Sequence, residues 1–292
     1  MARRIERRGR SRLARTDSAF LPYVRLDSGG VRSQSGRGKT GAASDMREEL
    51  IGLAEAAGRI GARYFRSGAL AAGVEEKGHL DLVTRADKEV EAFLQQELQK
   101  LYPADGICGE EGASLRADAD RQWVIDPIDG TFNFVRGLPD WAVSIGLYAG
   151  GVPIRGETVS GGRDLEVLLN GVKLPPLPPL DRRRGVVAVG FSADTPVERE
   201  LAALRFIRSE LDMTYRHCGS TAAAFLMLAA GQVDASLGFG VCSWDVMGGL
   251  PVVERLGGVA TIDWKAIGLR QKLDYLAGST ELVERARPIL DL

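Results

Sequence analysis

Apolar residues recur at helical spacing between Met46 and Phe65, where Leu50, Ile51, Leu53, Ala54, Ala57, Ile60, Gly61 and Tyr64 share one face. A second helix is predicted from about Thr84 to Leu101, with Val90, Phe93, Leu94 and Leu98 on its apolar side. The intervening "EEKGHLDLVTRAD" is polar and rich in turn residues. Short strands are expected at "GICGEE" and "QWVID". "WAVSIGLYAG" follows, a continuous apolar run suited to a strand buried on both sides. Gly151 to Leu180 gives hairpin-like fragments and then "KLPPLPPL", an extended connector.

The second half of the chain is more regular. "GVVAVGF" is predicted as a strand, "PVERELAALRFIRSEL" as a helix opened by Pro196, "GSTAAAFLMLAAG" as an apolar helix closed by Gly231, and "VDASLGFG" as a strand. "WDVMGGLPVVERLGG" offers a helix that Pro251 must start or kink. Strands at "VATID" and "KLDYLAG" and a helix over "STELVERARPIL" complete the pattern. Strands and helices alternate without a clean βαβ repeat, so the expected class is layered α/β (α+β) sheets rather than a barrel.

Composition narrows this picture at the N-terminus. Residues 1–45 hold eleven Lys/Arg against four Asp/Glu and are rich in Gly and Ser without a sustained apolar period. Such a segment is expected to be disordered, or an extension from an upstream start codon ahead of Met46, with the folded domain spanning 46–292. It is also the only part of the chain where contact with nucleic acid is expected. No apolar run approaches the length of a membrane span and no secretory leader is visible, so a cytoplasmic protein without membrane contact is expected. Cys108, Cys218 and Cys242 are odd in number and lack CxxC spacing, with only His79 and His217 as further soft ligands. Free thiols in a reducing compartment are the expectation.

The candidate chemistry is acidic. Carboxylates fall at the ends of predicted elements in "LDLVTRAD" (Asp81, Asp87), "GEEG" (Glu110, Glu111), "DPIDGT" (Asp126, Asp129) and "WD" (Asp245). Any one of these alone reads as a solvated group or a helix cap. "DPIDGT" says more: Pro127 stiffens the turn, Gly130 lets backbone approach a ligand, and Thr131 opens a helix N-terminus that can face an anion. Two carboxylates about 4 Å apart repel by roughly 4 kcal/mol at an effective dielectric of 20, so a hard cation between them is the natural resolution. Oxygen-only ligands select Mg²⁺, Mn²⁺ or Ca²⁺ over zinc.

Together, "LDLVTRAD", "GEEG", "WVIDPIDGTFNF", "GSTAAAFLMLAAGQVDA" and "WDVMGGLPVVERLGG" resemble the inositol monophosphatase family of Mg²⁺-dependent, lithium-sensitive phosphatases, in its order and rough spacing. The resemblance implies an αβαβα sandwich of the sugar-phosphatase kind and a phosphomonoesterase that hydrolyses a small polyol or sugar phosphate with metal-activated water. It implies that Glu110, Asp126 and the carbonyl of Ile128 hold one Mg²⁺, that Asp126, Asp129 and Asp245 hold a second, and that a third, weaker ion sits by Glu110. It pairs Thr131 with Asp81 to orient and deprotonate the water, and Trp244 is expected to pack beneath Asp245. The backbone N–H groups of Gly130 and Thr131 are expected to grip the phosphate, and Gly219, Ser220 and Ala222 to form part of the substrate wall. A homodimer is common in the family.

The chain also departs from the family pattern. Inositol-specific members carry a glutamate seven residues before the "WD" aspartate, where this chain has Gly238. Lost charge-assisted hydrogen bonds there, about 1.5 to 3 kcal/mol each, weaken the expectation of tight myo-inositol recognition, and Gly238→Glu is expected to improve it. Residues 151–180 are shorter than in most members and predict a central sheet reduced in strand length. Phe132 stands where nucleotidase-like relatives have lysine, which favours monoesters of polyols or amino alcohols over nucleotide bisphosphates. Histidinol phosphate is the alternative substrate, and a non-catalytic RNA- or protein-interaction regulator is the alternative from another class.

Overall fold

The computed structural model describes residues 41–67, 74–78, 81–157, 160–162, 165–181 and 183–292. The first helix, α1 (Gly41–Ser67), begins five residues before the expected Met46, through Ala42 and Ala43, which are strong helix formers. The rest of the expected disordered tail, residues 1–40, lies outside the described residues. A two-stranded hairpin, β1 (Glu75–Gly78) and β2 (Asp81–Val83), occupies the polar, turn-rich segment, for which no strand was expected. Helix α2 (Arg85–Leu101) starts at a capping box in which the Thr84 side chain accepts from Ala86 and Asp87 N–H while the Asp87 carboxylate accepts from Thr84 N–H.

An eight-stranded sheet forms the first β layer. It takes in β3 (Gly106–Gly109), β4 (Ser114–Leu115), β5 (Arg121–Asp129), β6 (Ala142–Ala149), β7 (Val152–Glu157), β8 (Ser160–Gly162), β9 (Leu165–Leu169) and β10 (Val172–Lys173), in spatial order β10-β9-β8-β7-β6-β5-β3-β4. The segment from Gly151 to Leu180 thus supplies four strands, although β8 and β10 have only three and two residues. Pairing beyond β6 is antiparallel throughout, and the sheet closes on the short edge β10.

The second sheet has five strands: β11 (Val186–Phe191), β12 (Thr214–His217), β13 (Ala235–Val241), β14 (Val259–Ala260) and β15 (Leu273–Gly278), ordered β12-β11-β13-β15-β14. Strand β12 is exposed along its whole length and carries no apolar alternation to reveal it in the sequence. Alternation along the buried strands assigns the layers. Trp123 and Ile125 face α1 and α2 in one core with Leu50, Leu53, Val90, Leu94 and Leu98. Val124 faces the opposite way, into a core shared with Ala188, Tyr275 and Ala277 of the second sheet. That middle layer holds α5 (Thr221–Ala229), α6 (Ser243–Met247) and α7 (Leu250–Arg255). Val187, Val189, Leu237, Phe239 and Leu276 face outward against α4 (Val197–Ser209) and α8 (Thr280–Ala286). The layers are therefore α/β/α/β/α, as expected. Pro251 does not kink a single helix. It sits in the first turn of α7, just after α6 has ended at Met247, where its missing N–H costs no helical hydrogen bond.

Candidate active site

Strand β5 ends in the acidic stretch, and its irregularity brings the carboxylates together. In a regular strand Asp126 and Asp129, three residues apart, would point to opposite faces. Here the register runs from Asp126↔Ser144 to Asp129↔Ala142, so three steps on β5 match two on β6. The extra residue is a bulge containing Pro127, which has no N–H to lose from the ladder. Both carboxylates consequently reach one site, Asp126 1% and Asp129 8% exposed.

The chain then reverses into the short helix α3 (Thr131–Val135), with Gly130 as its N-cap at φ 91°. A Cβ at Gly130 would lie 2.9 Å from the Asp140 carbonyl oxygen and 3.0 Å from that of Gly219. Positive φ and close backbone together require glycine here. Asp245 enters from α6, where its carboxylate accepts the Cys242 N–H at 2.8 Å. Trp244, half-buried, accepts the Ser144 hydroxyl on its carbonyl at 3.1 Å, which ties α6 to β6 beside Asp126.

One ligand atom from each of Asp126, Asp129 and Asp245 falls within 4.8 Å of the other two. Burial pushes the Asp126 carboxyl well above the ordinary range, reinforced by the charges of Glu110, Asp129 and Asp245. Burial raises Asp129 to about 6, although hydrogen bonds from Ser220 and from the Ala222 and Thr221 backbones oppose the rise. Asp245 is raised to about 7 by burial and by Asp129. Asp126 Oδ1 has no hydrogen-bond partner although it is buried. An orphaned carboxylate oxygen amid all-oxygen donors fits a hard divalent cation such as Mg²⁺.

Glu110 follows β3, held by a hydrogen bond from its N–H to the Ile125 carbonyl at 3.2 Å, and its carboxylate reaches Asp126. The Ile128 carbonyl accepts the Thr131 hydroxyl at 3.0 Å. The same hydroxyl lies 3.3 Å from Asp87 Oδ1. Among the described residues the carboxylate backing Thr131 is that of Asp87, while the side chain of Asp81, expected in this role, lies outside the described residues. The missed signal was Thr84-x-x-Asp87: a capping box turns its third residue back towards the helix start, and so towards Thr131. Burial raises the Asp87 carboxyl, opposed by its hydrogen bonds from Thr84 and Thr131.

Of the expected substrate wall, Gly219 and Ser220 line a cleft of ≈ 170 Å³ that opens beside Asp129 and Asp245. Ala222 is buried, and its N–H donates to Asp129 Oδ2 at 2.5 Å beside the Ser220 hydroxyl at 2.6 Å. Ser192 and His217 line it too, in the two segments, near Ser192 and from Arg216 to Ala222, whose resemblance to the family suggests a substrate wall, and Phe191 joins them without having been expected there. None of the described residues lining the cleft is Lys or Arg. The cations nearby are paired: Arg216 with Asp140 at 3.3 Å, and Lys272 with Asp194.

Gly238 is on the inner face of β13, but its side-chain position is taken. A Cβ there would lie 2.3 Å from Cε1 of Tyr275, whose phenol is hydrogen-bonded with Ser236 Oγ at 2.7 Å and whose ring stacks on Phe225. This crowding argues against the expected gain of a polyol contact from Gly238→Glu, because the ring must shift before the glutamate can enter.

The inositol monophosphatase family model matches residues 42–285. The chain is 32% identical over 222 residues to the Nus factor SuhB of Pseudomonas aeruginosa, covering 71% of this chain and 82% of that one. It is 29% identical over 222 residues to the fructose-1,6-bisphosphatase/inositol-1-monophosphatase of Aquifex aeolicus, covering 72% and 81%. Among solved structures, the extragenic suppressor protein suhB of Bartonella henselae superposes with a TM-score of 0.75 at 25% identity, covering 84% and 98%. The Thermotoga maritima IMPase gives 0.71 at 26%, covering 85% and 98%.

Proposed function

The chain belongs to the inositol monophosphatase family, a family of phosphatases, and we propose that it is a Mg²⁺-dependent phosphomonoesterase acting on a small polyol or sugar monophosphate. The observation that carries this reading is the convergence of Asp126, Asp129 and Asp245, with an unpartnered Asp126 oxygen, beside a Thr131–Asp87 pair. Asp126, Asp129 and Asp245 would hold one Mg²⁺, and Glu110, Asp126 and the Ile128 carbonyl another. Bound there, the ions would lower the pKa of water and offset charge on the phosphoryl oxygens.

The protein's own groups supply the rest. Thr131 Oγ1 is positioned to take a proton from the attacking water while its own passes to Asp87 Oδ1. The raised affinity of Asp87 for a proton suits that role. The N–H groups of Gly130 and Thr131, at the start of α3, would orient the phosphate. Ser220 and Ala222 fix the rotamer of Asp129 through their hydrogen bonds. A cleft without Lys or Arg disfavours a second phosphate on the substrate, so an uncharged alcohol half is the better fit, with histidinol phosphate as the alternative. Phosphate release from the full chain over inositol-1-phosphate, histidinol phosphate, fructose-1,6-bisphosphate and 3′-phosphoadenosine 5′-phosphate tests this. A bisphosphate preferred tenfold over both monoesters would overturn the substrate class.

A second reading has one specific support: relatives at 32–34% identity are named Nus factor SuhB, and this chain carries the basic segment 1–45. An interaction role would use surfaces away from the cleft. Salt-dependent retention of the full chain on RNA, lost when residues 1–40 are removed, would support it.

A further inference from the structure

Helix α2 carries a second acid the mechanism does not use. Glu91 lies four residues after Asp87, on the same face of the helix, and is 6% exposed. Its Oε2 accepts the Glu111 N–H at 2.7 Å and its Oε1 accepts the Ala113 N–H at 2.8 Å. Both carboxylate oxygens are thus engaged with the turn that bears Glu110. The backbone is fitted to this grip: a Cβ at Gly109 would lie 2.4 Å from Glu91 Oε2, and Gly112 adopts φ 112°. The turn is closed by Gly109 N–H on the Ala113 carbonyl at 2.7 Å and attached to β5 through Glu110 N–H on Ile125.

We propose that Glu91 is a positioning residue for the metal site, holding the 110–113 turn so that the Glu110 carboxylate is set against Asp126 before any ion arrives. Helix α2 then serves both sides of the site at once, through Asp87 on Thr131 and Glu91 on the Glu110 turn. The inference rests on the reading of Glu110 as a Mg²⁺ ligand. Partners of ligands that lock their orientation typically change metal affinity about 10- to 100-fold when altered.

The test is the half-saturating Mg²⁺ concentration of the full chain, read from its Mg²⁺-dependent resistance to urea. Wild type, Glu91→Gln, Glu110→Gln and the double variant are compared at a temperature where circular dichroism shows all four folded. In Glu91→Gln an amide NH₂ opposes one backbone N–H, and half-saturation should rise about 10-fold. The double variant should be no weaker than Glu110→Gln alone, since Glu91 acts only through Glu110. Unchanged half-saturation in Glu91→Gln, or a double variant whose shift is the product of the two single shifts, would overturn the proposal. Unchanged half-saturation in Glu110→Gln would instead defeat the ligand reading beneath it, and the proposal with it. Glu91→Asp, which keeps the charge but withdraws it by one methylene, carries the same comparison should the glutamine variant unfold.

Discussion

Removing the charge of Asp129 should stabilise the metal-free protein and remove its response to Mg²⁺. Its carboxyl is 8% exposed and is raised from 3.8 to about 6 by burial. A rise of about two pH units corresponds to roughly 3 kcal/mol of differential free energy between protonation states. Because the folded-state value lies above the unfolded one, the folded protein holds this proton more tightly than the unfolded chain. The favourable contribution is complete below about pH 4 and is lost as pH rises through about 6; at pH 8 the buried charge is fully costly. Asp129→Asn keeps an acceptor for Ser220 and Ala222 but carries no charge. Urea unfolding in EDTA at pH 8 should therefore show the variant more stable than wild type by up to about 3 kcal/mol, with the gap closing towards pH 5. Mg²⁺ at 1,000 times its dissociation constant should reverse the order, since it adds about 4.1 kcal/mol to the protein that binds it. A variant less stable than wild type in EDTA at pH 8, or equally stabilised by Mg²⁺, would refute this electrostatic account.

Three further outcomes are expected. Asp87→Asn should lower kcat by about 10²- to 10⁴-fold, the range for losing a general base, while leaving Mg²⁺ half-saturation unchanged; a weakened Mg²⁺ response would make Asp87 a metal ligand instead. Gly238→Glu should destabilise the fold by at least about 1–3 kcal/mol in thermal or urea melts, because its side chain meets the Tyr275 ring, and should give no gain in inositol phosphate turnover. Gly130→Ala should cost stability of the order of 1–3 kcal/mol from its positive φ and the crowding carbonyls, and should raise KM for the phosphate ester; unchanged KM would separate Gly130 from phosphate binding.

What the sequence revealed and what it hid follow from the range of the interactions involved. The chemistry of "DPIDGT" was legible because proline, glycine and two acids within six residues leave few local conformations, and the bulge they form makes the site. The place of Asp87 beside Thr131 depended on whether an acid at the helix start turns back. A local capping pattern decides that, and it was present to be read. Gly238 and Tyr275 are a different case: they meet across the antiparallel β13–β15 pair, 37 residues apart in sequence, and no local pattern announces the register. Strand β12 escaped because its four residues are exposed and lack alternation. The two halves of the Glu91 grip, α2 and the 110–113 turn, likewise become neighbours only in the folded protein.

The most direct test of the central claim is the rate of phosphate release from inositol-1-phosphate by the full chain as Mg²⁺ is titrated, for wild type and for Asp245→Asn. Turnover that requires Mg²⁺, is lost in EDTA, and falls by at least about 10²-fold in a folded Asp245→Asn protein is the predicted result. Turnover that persists in EDTA, or that is equal in the two proteins, would contradict the assignment of the acidic cluster as a catalytic metal centre.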